Sequence, residues 1–492
     1  MRGARRSSCN AASLRRGAPA LVAMLLLAGC ASPFDYSKVA PSPGPDTTAL
    51  NRRYPSTLSE ERERAPAQQT EHPAGLGTDA APNDFVQYAL LHSPEVEAAY
   101  QRWRASAERI AQGGVLPDPR LKFGYFLEEV ETRVGPQNAI FGVSQTFPWP
   151  GTLSDREGAA ERAAAVQWRQ FQAAALTVTE RVVSTLHELA YLDAAIVIAR
   201  ENLDLLRTFE EVVRARYRVG TGSHPELVRV QVELGQLEDR LSRLTAMRPA
   251  YVAELNAAMN RDSRTEVPTI EALPGQVATV GVDELSRMAR EANPTLLARA
   301  EEIEEQRVRE RLARKAGLPD LTVGLDYIVT GEALDSSIPE SGDDPILLGF
   351  SINVPLWRGK YDAGVREAIA GRLAVSSQRA ADENRIAAAI ERAWFEHTDA
   401  DRRVRLFETT LIPKAKESRR SSLAGFRAGD TSFLDLLDTE RTLLEFAVLA
   451  ERARADRGQA LARLTALVGG EIPTRAEPGR TTENETPGGA QP

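Results

Sequence analysis

Cysteine is nearly absent: the 492 residues contain two, Cys9 and Cys30. That count excludes a disulfide framework and a Cys-based zinc or iron–sulfur site. Histidine is sparse and scattered, at positions 72, 92, 187, 224 and 397, and beyond residue 29 the only methionines are Met247, Met259 and Met288. A soft-metal relay needs such ligands clustered. Long apolar runs are missing too. The longest, about a dozen residues around 18–28, falls short of the roughly 20 that a spanning helix requires. An excess of positive charge is lacking, with 61 Lys and Arg against 69 Asp and Glu. An acidic chain is a poor phosphate binder, so nucleic acid is not an expected partner. No Ser-His-Asp set, phosphate loop or carboxylate pair has catalytic spacing. Neither an enzyme nor a cofactor is expected.

What is present begins at the N-terminus. Arg2, Arg5, Arg6, Arg15 and Arg16 precede the apolar run, which ends in Leu27, Ala28, Gly29 and Cys30. A basic stretch, a short apolar stretch and small residues before a cut describe a secretory signal over residues 1–29. Cys30 directly after Leu-Ala-Gly resembles the bacterial lipobox. That resemblance implies cleavage before Cys30 and acylation of its thiol, including palmitate, and Ala31 in place of Asp favours the outer membrane. Three acyl chains, at about 0.8 kcal/mol per buried methylene, anchor firmly. The alternative is an ordinary signal peptide with an incidental Cys. Without residues 1–29 the chain holds 56 basic and 69 acidic residues, a balance of −13.

The chain is written twice. Ser93-Pro94 returns as Asn293-Pro294, Leu116-Pro117-Asp118 as Leu318-Pro319-Asp320, and residues 142–148 as 349–355. Residues 217–220 return as 426–429, and 255–260 as 464–469. Such ordered echoes indicate a tandem duplication of about 200 residues, not the three globular domains that length alone suggests. The expected layout is an extended linker over 30–82, repeat 1 over 83–260 and an equatorial linker over 261–281. Repeat 2 covers 282–470 and a disordered tail 471–492. Each copy reads as helix, strand pair, long helix, Gly turn and helix.

In copy one the entering helix spans Asp84–Gln112, the long helix Leu153–Val219, and the returning helix Glu226–Asn260. The long helix has no Pro over 67 residues, a length of about 100 Å. Its apolar seam from Phe171 to Tyr217 steps by about 3.54 residues, close to the coiled-coil period. Copy two matches, with helices over Asp283–Ala316, about Tyr361–Ala428 and Phe433–Val468; Pro413 should kink or split the long one. The lengths suggest that helix 226–260 stacks end to end with 283–316, and 433–468 with 84–112.

Four strand candidates lie at about 120–147 and 321–354. Leu121, Phe123, Tyr125 and Leu127 alternate with Lys122, Gly124, Phe126 and Glu128, and three of the four candidates alternate cleanly. A tilted strand crossing a bilayer needs about 9–11 residues, and Trp149 and Trp357 follow the second and fourth strands where an interfacial aromatic girdle lies. A half-buried soluble sheet alternates in the same way. Four strands cannot close a barrel alone, so a membrane reading requires several chains. Loops are expected at Glu129–Asn138 and Gly331–Pro345.

Two copies of this pattern resemble the TolC-type outer-membrane efflux proteins. Residues 116–119 and 144–151 are similar to members serving heavy-metal exporters of the resistance–nodulation–division kind. Residues 426–441 look like the family's turn and following helix, and the similarity covers about residues 82–470. It implies a mainly α fold with a small transmembrane β part: a homotrimer with a 12-stranded β-barrel on a long α-helical barrel. The implied partners are a periplasmic adaptor, an inner-membrane pump of the resistance–nodulation–division type and outer-membrane lipid. The implied role is a passive duct for metal ions or small toxic compounds. The competing reading is a periplasmic coiled-coil spacer lipoprotein without a pore.

Asp435 and Asp438, spaced i, i+3, share a helix face. In the family, acids at matching positions narrow the periplasmic mouth; acids in a helix's first turn also simply stabilise it. Gly220 and Gly429 suit the left-handed end of a helix, and Ser223 and Ser432 suit caps. The family adds adaptor contact at these tips, where Arg218 and Arg427 also lie. Phe426 stands where a hydroxyl-bearing Tyr would be expected for the family's closed-state links, so those links do not carry over.

Overall fold

The computed structural model describes residues 76, 80–270, 273–335, 337–428 and 430–476. Cys30, Gly429, the expected signal segment and residues 477–492 therefore lie outside the described residues, as does most of the N-terminal linker; the disordered tail expected from residue 471 is corrected at its start, where Thr474–Ala476 is a strand held by backbone pairing.

The entering helix is two helices, α1 (Pro82–His92) and α2 (Pro94–Gly113). Pro94 lacks an N–H and holds Ser93 extended, at ψ 123°, which ends one helix and starts the next. The same device divides α5 (Val282–Ala292) from α6 (Pro294–Lys315). Here Asn293 Oδ1 accepts from the amides of Thr295 (2.9 Å) and Leu296 (3.2 Å). The expected single helices are corrected accordingly.

The long helix α3 spans Thr152–Arg218 and returns through α4, His224–Ala258. Its seam is buried from Phe171 to Leu206 and at Val213, whereas Tyr217 is exposed. One stretch of α3 is long and apolar enough, by composition alone, to cross a membrane. Its side chains pack on neighbouring helices, and Asp193 within it binds Arg248 at 2.6 Å. This is a core helix face rather than a lipid-facing one.

In the second copy α7 (Arg358–Leu406) passes through a π-helical turn at Phe407–Leu411 into α8 (Ile412–Ala428). The wide turn lies against Pro413, whose missing N–H and ring crowd the preceding turn. The chain returns through α9, Phe433–Val468.

Four strands form one antiparallel sheet: β1 (Arg120–Thr132), β2 (Gly135–Phe147), β4 (Leu321–Thr330) and β5 (Ile346–Ile352), in the order β1-β2-β4-β5. The β2–β4 ladder joins the two copies. The loop expected at Glu129–Asn138 is mostly strand: past a bulge, Val130 pairs with Gln137 and Thr132 with Gly135. Gly135, at φ +132°, permits the tight reversal.

Sheet-side α2 and more distal α4 both pack on α3, and α6 and α9 fill the space between α3 and α7 in the same way. The stacking differs from expectation. Asn293 Nδ2 donates to the Leu467 carbonyl at 2.8 Å, so α9 meets the start of α6 within its own copy. The end of α4 joins the core around Phe85 and Val96. Residues 261–270 and 273–281 lie between these columns at mid-height, where β3 (Gln276–Ala278) pairs with β6 (Thr474–Ala476).

Candidate functional site

The two faces of the sheet differ. On one, register rows run Leu121–Val143–Leu325–Leu348 and Phe123–Phe141–Tyr327–Ile346. Leu121 is 85% exposed, Phe123 67%, Ile346 68% and Phe350 67%. So much uncovered apolar surface is a contact surface for lipid or protein. The other face carries Gly124, Gly142, Gly324, Gly349, Ser144 and Ser351, with Thr146 and Thr322 hydroxyls 2.9 Å apart. At the far end, the backbone at Gly331 and Gly342 docks on the β1–β2 turn. Gly331 N–H donates to the Pro136 carbonyl and Gly342 N–H to that of Val134, both at 2.7 Å.

Trp149 and Trp357 lie at the helix-side end of the sheet, both exposed. The Trp149 amide donates to Asp320 Oδ1 at 3.0 Å. Nearby, Lys315 binds both the Gly151 carbonyl (2.9 Å) and Asp155 (2.7 Å). These contacts tie the strand ends to the helices.

The opposite ends of the helices form two tips. At the first, Gly220 has φ +75°, and the amides of Thr221 and Gly222 donate to the Arg216 carbonyl at 2.9 and 3.0 Å. The Ser223 amide donates to Glu226 Oε2 at 3.2 Å, the carboxylate half of a capping box. At the second, the amides of Asp430 and Thr431 donate to the Gly425 carbonyl at 2.9 and 3.3 Å. Arg218 and Arg427 are exposed. Phe209, Phe426 and Phe433 pack as edge contacts under the tips, and the Arg216 guanidinium lies 4.9 Å from the Phe426 ring centre.

Asp435 and Asp438 are both exposed, yet their surroundings differ. Asp435 Oδ2 accepts from the Ser432 hydroxyl at 2.7 Å and from its amide at 3.3 Å, and the Ser432 hydroxyl accepts from the Asp435 amide at 3.1 Å. The Asp438 carboxylate has no such partner among the described residues. Just beyond it on α9, Glu440 is buried, 3.9 Å from Arg419. Burial pushes its carboxyl above the usual range, against the pull of Arg419.

Mid-height holds a polar network that spacing did not reveal. Arg457 and Asp401 pair at 3.0 Å, with side chains 3% and 5% exposed. Arg452 binds Glu188 (2.8 Å) and Asp456 (2.7 Å) and covers the Tyr191 ring. His397 Nε2 accepts from the Ala278 amide at 3.2 Å, which joins the network to β3. Burial, with the charges of Arg457 and Arg452, lowers the His187 pKa to about 4. Among the described residues no three His, Cys, Asp or Glu side chains gather as a metal-binding group.

An exposed apolar sheet standing on long stacked helices defines the class of outer-membrane efflux channels. The family model described as outer membrane efflux protein matches residues 85–261 and 285–470, and the chain belongs to that family. It is 22% identical over 363 residues to the cobalt-zinc-cadmium resistance protein CzcC of Cupriavidus metallidurans, covering 71% of this chain and 80% of that protein. It is 23% identical over 269 residues to the outer membrane protein TolC of Vibrio cholerae, covering 52% of this chain and 61% of TolC. The fold is similar to that of the outer membrane protein VceC of Vibrio cholerae. The TM-score is 0.65 at 18% identity, over 79% of this chain and 96% of VceC.

Proposed function

We propose that three copies of this chain form the outer-membrane channel of a tripartite efflux system. The observation that carries this reading is the sheet: β1 and β5 each have one paired edge, and one face exposes an apolar row on every strand. Unpaired edges and an apolar face both need covering. A trimer of four-stranded sheets gives a closed 12-stranded barrel whose apolar face meets lipid, and the four helical columns per chain give a twelve-column tunnel below it. Trp149 and Trp357 then lie at the periplasmic interface. Cys30, acylated, anchors the linker 30–82 to the same membrane.

In this reading the tips bearing Arg218, Gly220, Ser223, Arg427, Gly429 and Ser432 meet a periplasmic adaptor, which couples the channel to an inner-membrane pump of the resistance–nodulation–division type. Asp435 and Asp438 ring the periplasmic mouth. The similarity to CzcC favours metal ions as cargo, with small toxic compounds as the alternative. A spacer without a pore would leave the apolar face of the sheet without a role.

The test is purification from outer membranes, electrophoresis without boiling and planar-bilayer recording. Heat-labile, SDS-resistant trimers with stepwise conductance are expected. A monomer soluble without detergent after removal of its acyl chains, or trimers that never conduct, would overturn the reading.

A further inference from the structure

The glycine-lined face of the sheet holds one ion pair. Lys122 Nζ of β1 lies 3.5 Å from Asp326 Oδ1 of β4, with side chains 61% and 28% exposed. They are not on adjacent strands. Lys122 pairs in register with Gly142 of β2, and Gly142 pairs with Asp326. The two side chains meet over Gly142, where a Cβ would overlap Asp326 Oδ1 and touch Lys122 Cβ at 3.4 Å. Three strands from both copies thus build one contact. On this face, between the sheet's lower end and the bulge in β1, the only other charged strand residue is Arg120, and Asp326 is the only acid.

Stability does not account for the arrangement. A partly exposed ion pair contributes about 0–1 kcal/mol, while a glycine inside a strand weakens it. The face with the pair is opposite the apolar rows, so in a closed barrel it looks into the water-filled lumen. There a free carboxylate attracts cations over about 8 Å at physiological salt, and threefold repetition puts three at one height.

We propose that Lys122 and Asp326 form a charge filter in the lumen of the β-barrel, seated on Gly142, whose ligands are small inorganic ions. Lys122 keeps Asp326 paired, so cations leaving for the exterior are not held by free carboxylates. Arg120 adds positive charge just below. This inference rests on the channel reading above and adds the section of the pore that sets ion preference on exit.

A cysteine reporter tests it. Ser144 is on the same face two residues from Gly142, and Ser144→Cys supplies the single thiol beyond residue 30. Trimers in outer-membrane vesicles are treated with cationic and anionic methanethiosulfonates of similar size, and labelling rates are read by mass shift. Both reagents should reach the introduced thiol. Adding Lys122→Gln should raise the cationic-to-anionic rate ratio several-fold, and adding Asp326→Asn instead should lower it several-fold. A ratio that ignores both substitutions, or a reporter thiol closed to both reagents in conducting trimers, overturns the inference alone. Wild-type trimers without conductance would overturn the channel reading itself.

Discussion

The imidazole of His187 on α3 occupies the volume that a side chain at Gly458 on α9 would need, since a Cβ there would overlap the ring atoms. The two helices approach closely at this point because one contributes a ring and the other nothing. Ala is the better helix former by about 1 kcal/mol, yet Gly458→Ala must displace a ring packed between two helices. A net loss of about 1–3 kcal/mol is expected, read as a lower melting temperature of the trimer. The pair His187→Ala with Gly458→Ala should lose less than the two single changes summed. Additive losses in the double-mutant cycle would show that the contact is not shared.

The same ring predicts an acid sensitivity. Burial first, then Arg457 and Arg452, lower the His187 pKa to about 4, against about 6.5 in an unfolded chain. Between these values the unfolded state takes up a proton that the folded state refuses. Stability therefore falls as pH drops from about 6.5 to 4, by up to roughly 3 kcal/mol per chain. His397 is shifted down as well, mainly by burial, and adds in the same direction. Melting curves across this range should flatten in His187→Gln. An unchanged slope would move the acid sensitivity elsewhere.

The buried pair beside it predicts an asymmetry. Asp401 faces Arg457 at 3.0 Å with both side chains nearly inaccessible. Replacing Asp401 alone by Leu takes one paired carboxylate away from a buried guanidinium, at a cost of about 3–5 kcal/mol. Replacing both, as Asp401→Leu with Arg457→Met, should recover most of that loss, because two charges no longer need to leave water. If urea titration finds the double variant as weak as the single one, hydrogen bonding rather than charge holds this site.

These mid-height contacts mark where sequence reasoning stops. The seam of α3 was legible because burial repeats with the helix period, and the strands because Leu121, Phe123 and Tyr125 alternate with Lys122 and Gly124. The breaks at Ser93 and Asn293 were missed although a proline follows each, because the apolar pattern runs through both and conceals them. The β1–β2 turn was hidden by the bulge between Tyr125 and Val130, which spoils strict alternation. Stacking partners depend on which helix ends meet in space, and lengths alone allowed the wrong pairing. Nothing in the spacing of His187 and Gly458, 271 positions apart, marks them as a contact.

The tips separate backbone from side-chain roles. Gly220 has φ +75°, and a Cβ there would touch nothing within 4 Å. Gly220→Val therefore strains only the turn, by about 1–2 kcal/mol, and puts bulk on an open surface. Trimer yield should hold while site-specific crosslinking to the adaptor falls. Retained crosslinking would remove this tip from the docking surface.

Asp435 and Asp438 share a helix face but predict different phenotypes. Asp435 closes the capping box with Ser432, so Asp435→Ala should lower stability by about 1 kcal/mol through the lost cap. Asp438 is exposed and makes no such bond among the described residues, so Asp438→Asn should leave melting unchanged. If the pair rings the periplasmic mouth, Asp438→Asn should still weaken block of single-channel current by multivalent cations added on that side, since three carboxylates lose their charge. Asp435→Asn would report a mixture, because an amide keeps an acceptor for the cap but not its charge. Unaltered block in the Asp438 variant, with melting also unaltered, would leave both acids as helix-end residues and move the cation-attracting ring to another part of the pore.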